Sequence, residues 1–218
     1  MAKSTFECKA LAKYYSHRLI FGGLNFSVSS GSSLGILGRN GSGKSTLIKI
    51  IAGLISPSNG DFTFSIDGKE IKREEYYKHI GFMSPYLNLY DELSGFENLE
   101  FFMNLKQRDL AKNDKDVKIN ALLEETGLFK ARKELYKNYS SGMKQRLKLA
   151  FALLNEPELL LLDEPCSNLD KDGIEIVYKY AEKQKQNKML IIATNEQSDL
   201  KLCDASINIE QFKMLQPK

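Results

Sequence analysis

The chain has 218 residues, 42% of them hydrophobic, which suits one domain with a real core and is short for two. Its 31 basic residues stand against 28 acidic ones for a net charge of +3, a balance too even to point to nucleic acid. Cys8, Cys166 and Cys203 are widely spaced with no C-x-x-C pair, so they suggest neither a disulfide framework nor a zinc site and fit a reducing cytosol.

In chain order, "MAKSTFECKA" carries no apolar signal core, and no run approaches the roughly 18 apolar residues of a membrane-spanning helix. Any membrane role is therefore expected to pass through a partner. "STFECKALA" and "LNFSVSSG" predict short strands ending in turn residues, and "SLGILG" a compact apolar strand running into a glycine-rich loop. "KSTLIKIIAGL" predicts a helix with Leu47, Ile50, Ile51 and Leu54 on one face and Pro57 beyond its end. Strands are expected at "GDFTFSIDG" and "HIGFM". From about Gly95 to Lys137 the pattern turns helical with many lysines outward, which predicts a helical subdomain at about 93–140. "GMKQRLKLAFALL" predicts a helix, "ELLLLDEP" a buried strand, "GIEIVYKYAEKQKQ" a helix, and "KMLIIAT" and "DASINIE" two more strands. The alternation predicts a mainly parallel central sheet in a single α/β domain over residues 1–218, and an antiparallel β part is expected near the N-terminus.

Gly38-Arg39-Asn40-Gly41-Ser42-Gly43-Lys44-Ser45 satisfies G-x-x-x-x-G-K-[ST]. Glycines let backbone N–H groups turn inward around phosphates, and the following helix start adds a positive dipole. Lys44 suits the β- and γ-phosphates, and the Ser45 hydroxyl suits Mg²⁺. "LLLLDEP" places Asp163 and Glu164 at the C-terminal end of an apolar strand, where open α/β sheets bind ligands. Asp163 fits the Mg²⁺ shell together with Ser45, and Glu164 is placed to orient or deprotonate an attacking water.

"GRNGSGKST", which carries the loop through Thr46, then "YSSGMKQRLKLAFALL", then "LLLLDEPCSNLD" occur in that order. Together they resemble the nucleotide-binding subunit of an ATP-binding cassette (ABC) transporter, from Phe6 to about Ile209. The resemblance implies a P-loop NTPase fold with ATP and Mg²⁺ as cofactors. It also implies that two subunits sandwich two nucleotides, most simply as a homodimer, with Ser140 and Gly142 matching signature positions that approach the γ-phosphate on the other subunit. Ser141 replaces the first signature glycine there and Met143 the common glutamine, changes that preserve a helix N-terminus and its open N–H groups. Read without the other motifs, Ser140 or Ser141 is an ordinary helix cap. Asp170 matches the loop linking the two sites, and Tyr15 the ring that relatives place on adenine, with Tyr14 an open alternative.

Two positions depart from the family pattern. Pro85, preceded by Ser84, stands where a glutamine is usual, and it has neither a side-chain amide nor an N–H. Asn195 stands where relatives carry a histidine; it can donate a hydrogen bond to a phosphate oxygen but cannot gain a proton. Two readings follow: a slow ATPase resting on Glu164, or a subunit that ATP closes with little hydrolysis.

The resemblance implies a cytoplasmic chain, peripheral at the inner membrane face through an integral permease subunit, with no nucleic acid. It is strongest to compact exporters. A groove around Ser84 to Glu97 would receive the permease, with Tyr86, Leu89, Tyr90, Leu93 and Phe96 as apolar contacts or as core of the helical subdomain. A non-transport ABC-type ATPase is the rival. His17, His79 and Cys166 show no convergent metal-ligand spacing.

Overall fold

The computed structural model describes residues 3–107 and 110–213. Strands β1 (Ser4–Tyr15) and β2 (Arg18–Ser29) pair antiparallel. Phe6, Cys8 and Leu11 of β1 are buried, and the change from even to odd positions follows a bulge at Ala10, whose φ of 49° is left-handed. The bulge breaks the period-two pattern, so "STFECKALA" and "LNFSVSSG" prove to be parts of two 12-residue strands rather than short ones. Strand β3 (Ser33–Leu37) is short and buried and leads to helix α1 (Lys44–Ile51). That helix closes when Leu54 N–H bonds the Lys49 carbonyl and Gly53 N–H the Ile50 carbonyl. Leu54 thereby leaves the face expected of it and is 60% exposed, while Leu47, Ile50 and Ile51 are fully buried. Strands β4 (Asn59–Ile66) and β5 (Lys69–Glu70) complete a four-stranded antiparallel sheet in the order β2-β1-β4-β5.

Helix α2 (Tyr76–His79) precedes β6 (Ile80–Met83). Then come α3 (Gly95–Lys106), α4 (Lys112–Glu125), α5 (Ser141–Leu153), β7 (Leu159–Asp163), α6 (Lys171–Lys185), β8 (Met189–Thr194) and β9 (Ala205–Asn208). The order β6-β7-β8-β3-β9 makes a five-stranded sheet in which every pair is parallel. Strands β7 and β8 are buried at every position, which is why they read as unbroken apolar runs. Their side chains alternate between two cores. Leu159, Leu161, Ile191 and Ala193 join α1 and the antiparallel sheet, whereas Leu160, Leu162, Leu190 and Ile192 join α5 and α6. The α/β architecture expected from the alternation, with its separate antiparallel part, is the one observed.

A third apolar cluster lies between α3, α4 and α5, built on Leu99, Met103, Ile119, Leu123, Leu147 and Ala150. Helix α5 therefore serves two cores. Helix α3 opens on a capping box, in which Ser94 Oγ accepts from Glu97 N–H at 3.2 Å and Glu97 Oε2 accepts from Ser94 N–H at 2.8 Å. One lysine of this region turns inward against the outward pattern: Lys115 is buried because its ammonium donates to Asn104 Oδ1 at 2.9 Å, between the two helices. No helix among the described residues is long and apolar enough to cross a membrane.

Candidate functional site

The glycine-rich loop leaves β3 at Leu37 and enters α1 at Lys44, with Gly43 as the N-cap. Gly43 takes φ 110°, and a Cβ there would lie 2.6 Å from Ile20, so this turn admits only glycine. No side chain caps α1 and no carboxylate stands in its first turn, so its amides and dipole are open to an anion. Residues 40–46 line one wall of a cleft of ≈ 910 Å³, with Glu164, Ser167, Asn195, Pro85 and Tyr86 opposite or beside them. Of the residues singled out in the sequence, Asn40, Gly41, Ser42, Gly43, Lys44, Ser45, Thr46, Glu164 and Asn195 thus share one cleft. Gly38 lies behind it and accepts a bond from Lys44 Nζ at 2.7 Å.

Lys44 is almost fully buried, and its ammonium pairs with Glu164 Oε1 at 2.8 Å. Glu164 itself has φ 48°, a left-handed conformation that costs a non-glycine residue about 1–3 kcal/mol. The backbone is pinned there by its N–H on the Ala193 carbonyl at 2.8 Å and by the Ser167 hydroxyl on its carbonyl at 2.8 Å. Strain held by fixed partners aims the carboxylate at the phosphate loop.

Asp163, at the end of β7, is 0% exposed. Its Oδ2 accepts from Ser84 Oγ at 3.1 Å, while Oδ1 has no hydrogen-bond partner. Burial raises the Asp163 pKa above its ordinary value, against the opposing pull of the nearby Ser45 and Ser84 hydroxyls. An orphaned, dehydrated carboxylate oxygen beside a serine hydroxyl fits a hard divalent cation such as Mg²⁺. Among the described residues no group of three His, Cys, Asp or Glu side chains could cage an ion unaided, so a cation here would share its shell with phosphate and water.

Asn195 follows β8 at the cleft rim. Its loop is tied down by Asp199, which accepts from Thr194 Oγ1 at 2.7 Å and from Tyr178 OH at 2.9 Å, and by Glu196 N–H on Thr194 Oγ1 at 3.0 Å. Sequence reasoning passed over Asp199; an acidic residue shortly after a buried strand was the available signal.

The remaining expected residues lie elsewhere. Ser140 caps α5, its Oγ accepting from Met143 N–H at 3.2 Å, and neither it nor Ser141 nor Gly142 lines the cleft of its own chain. Asp170 caps α6, accepting from Gly173 N–H at 2.9 Å. Tyr15 ends β1 outside the cleft lining, 51% exposed, with the Lys13 ammonium 5.1 Å from its ring centre. Tyr14 is likewise exposed. Of the proposed permease contacts, Leu89 is buried as a member of the α3–α4–α5 cluster and so offers no surface. Tyr86 and Tyr90 are exposed, and Tyr90 stacks on Phe102 at 5.9 Å.

A phosphate loop between an interior parallel strand and a helix, with a buried carboxylate at the end of β7, one strand removed in the same sheet, defines the P-loop nucleotide-triphosphatase class. A family model described as "ABC transporter" matches residues 21–167, and the chain belongs to that family. The relatives agree. It is 34% identical over 218 residues to the uncharacterized ABC transporter ATP-binding protein YhcH of Bacillus subtilis (strain 168), covering 98% of this chain and 69% of that protein. It is 35% identical over 185 residues to the lantibiotic transport ATP-binding protein SrtF of Streptococcus pyogenes, covering 85% and 77%. The bacitracin transport ATP-binding protein BcrA of Enterococcus faecalis is 35% identical over 179 residues, covering 81% and 56%. In fold, the chain superposes on the ATP-binding cassette MJ0796, solved as a dimer bound to ADP and Pi, with a TM-score of 0.84 at 24% identity over 94% of this chain and 95% of that one.

Proposed function

We propose that the chain is an ATP-binding subunit that hydrolyses MgATP at the interface of a dimer and drives export through a separate membrane subunit. The observation that carries this reading is the split site. The phosphate loop and Glu164 share one cleft, with Asp163 buried beside Lys44 and Ser45, while the capped start of α5 with Ser140, Ser141 and Gly142 stands apart from that cleft, open to a second chain's nucleotide. Export is favoured by relatives whose names concern bacitracin and lantibiotic transport or linearmycin and daunorubicin resistance. An integral permease, a peripheral place at the cytoplasmic membrane face and a helical subdomain at about 93–140 belong to the same proposal.

The open amides of the loop and α1 take the phosphates, and Lys44 turns from Glu164 to the β- and γ-oxygens. Glu164, freed of its cation, accepts the proton of the attacking water. Ser45 and Asp163 would hold Mg²⁺, which would supply positive charge to offset that of the phosphates. Asn195 donates from the rim to the γ-phosphoryl group as it passes to water. Tyr15 is left as an adenine platform outside the phosphate cleft, and Asp170 as the cap that orders the loop between Glu164 and α6.

The test is MgATP hydrolysis followed against protein concentration. Specific activity should rise with concentration, Glu164→Gln should lower turnover by roughly 10²–10⁴, and Lys44→Ala should weaken nucleotide binding. Nucleotide binding with wild-type turnover no higher than that of Glu164→Gln would instead establish the second reading, a nucleotide-gated regulatory subunit, which Pro85 and Asn195 favour.

A further inference from the structure

Lys148 sits in the middle of α5, 7% exposed. Its ammonium has one hydrogen-bond partner among the described residues, the Pro85 carbonyl at 2.7 Å. A buried cation held by a single neutral oxygen is less stable than an apolar side chain would be, and burial together with Lys144 pushes its pKa down. Fold stability alone therefore gives no reason for a lysine here.

The surroundings supply one. Helix α5 lies against β6 so closely that a Cβ on Gly81 would come 2.2 Å from the Ala152 carbonyl. Ala152 and Lys148 are one turn apart on the same helix face. Immediately before Pro85, Ser84 donates to Asp163 Oδ2 at 3.1 Å. A continuous set of contacts thus runs from the Ser140 cap along α5 to Lys148, Pro85, Ser84 and Asp163.

We propose that Lys148 is a positioning residue for ATP hydrolysis: by gripping the Pro85 carbonyl it keeps Ser84 on Asp163 and ties the start of α5 to the cation-binding carboxylate of the same chain. The link uses main chain at a position whose proline offers no side-chain amide. Movement of α5 against a second subunit is then felt at Asp163, and occupation of Asp163 is felt at α5. The inference rests on the ATPase reading above.

The experiment compares wild type, Lys148→Met and Lys148→Arg for melting temperature, amide hydrogen exchange in residues 84–90, ATP affinity and kcat. Lys148→Met should melt at the same temperature or higher, exchange faster in that segment, and lose about tenfold in kcat with ATP affinity unchanged, the equivalent of one charge-assisted hydrogen bond. Lys148→Arg should restore slow exchange and most of the rate. Unaltered exchange in Lys148→Met overturns the proposal, as does a melting temperature that falls together with kcat and is not rescued by arginine. If the wild type itself shows no turnover, the ATPase reading fails, and the exchange comparison still decides the clamp.

Discussion

Asp163 is where function and stability oppose one another within a single side chain. Its carboxyl is buried and one oxygen has no partner, so the native state binds a proton more readily than the unfolded chain does. The sign follows: stability falls as pH rises from the ordinary carboxylate range towards the raised native pKa, because the charge must then be borne without water. Asp163→Asn should accordingly raise the melting temperature of the nucleotide-free protein, by a margin that widens with pH over that window. The same variant should lose the additional stabilisation that Mg²⁺ gives in the presence of ATP. A variant that melts lower at every pH would show that the Ser84 bond and the Lys44 charge outweigh the cost of burying the carboxylate. Lys148 follows the same pattern on the opposite charge.

At the scale of elements, the capping box of α3 offers a clean test because it lies away from the cleft. Ser94→Ala should cost about 1 kcal/mol in denaturant unfolding and leave ATP affinity unchanged. The Glu97 carboxyl is held below its usual range chiefly by the Ser94 N–H, so its contribution is present above the ordinary carboxylate pKa and lost on acidification; the stability deficit of Glu97→Ala should therefore shrink at low pH. The elements most legible from sequence were those with one dominant cause. Strands β7 and β8, buried on both faces, appear as apolar runs, and the phosphate loop appears as glycines that backbone geometry requires. Where two causes compete, the pattern misleads. The bulge at Ala10 shifts the phase of β1 midway, and the close of α1 carries Leu54 off its expected face. At the site, Asp163 and Glu164 were legible as a pair, but the Lys44–Glu164 ion pair depends on residues brought together by the sheet, and the Asp199 support of the Asn195 loop on the packing of Tyr178 from α6.

For the whole molecule, the expectation is that chemistry belongs to the pair. Gly142→Asp places a carboxylate at the start of α5, and the site is open enough that its Cβ would meet nothing nearer than the Asn168 carbonyl at 3.4 Å. The variant should fold and bind ATP as a monomer yet lose the rise of specific activity with concentration; activity that still climbs would place the second nucleotide contact elsewhere. The separation of the α5 start from the chain's own cleft also sets how defects combine. A chain with a ruined phosphate loop keeps an intact signature face, and a chain with a ruined signature keeps an intact loop. Mixed one to one, the two damaged proteins should form a dimer with one whole site and one doubly broken site, so that two inactive preparations regain part of the activity on mixing, by complementation rather than repair.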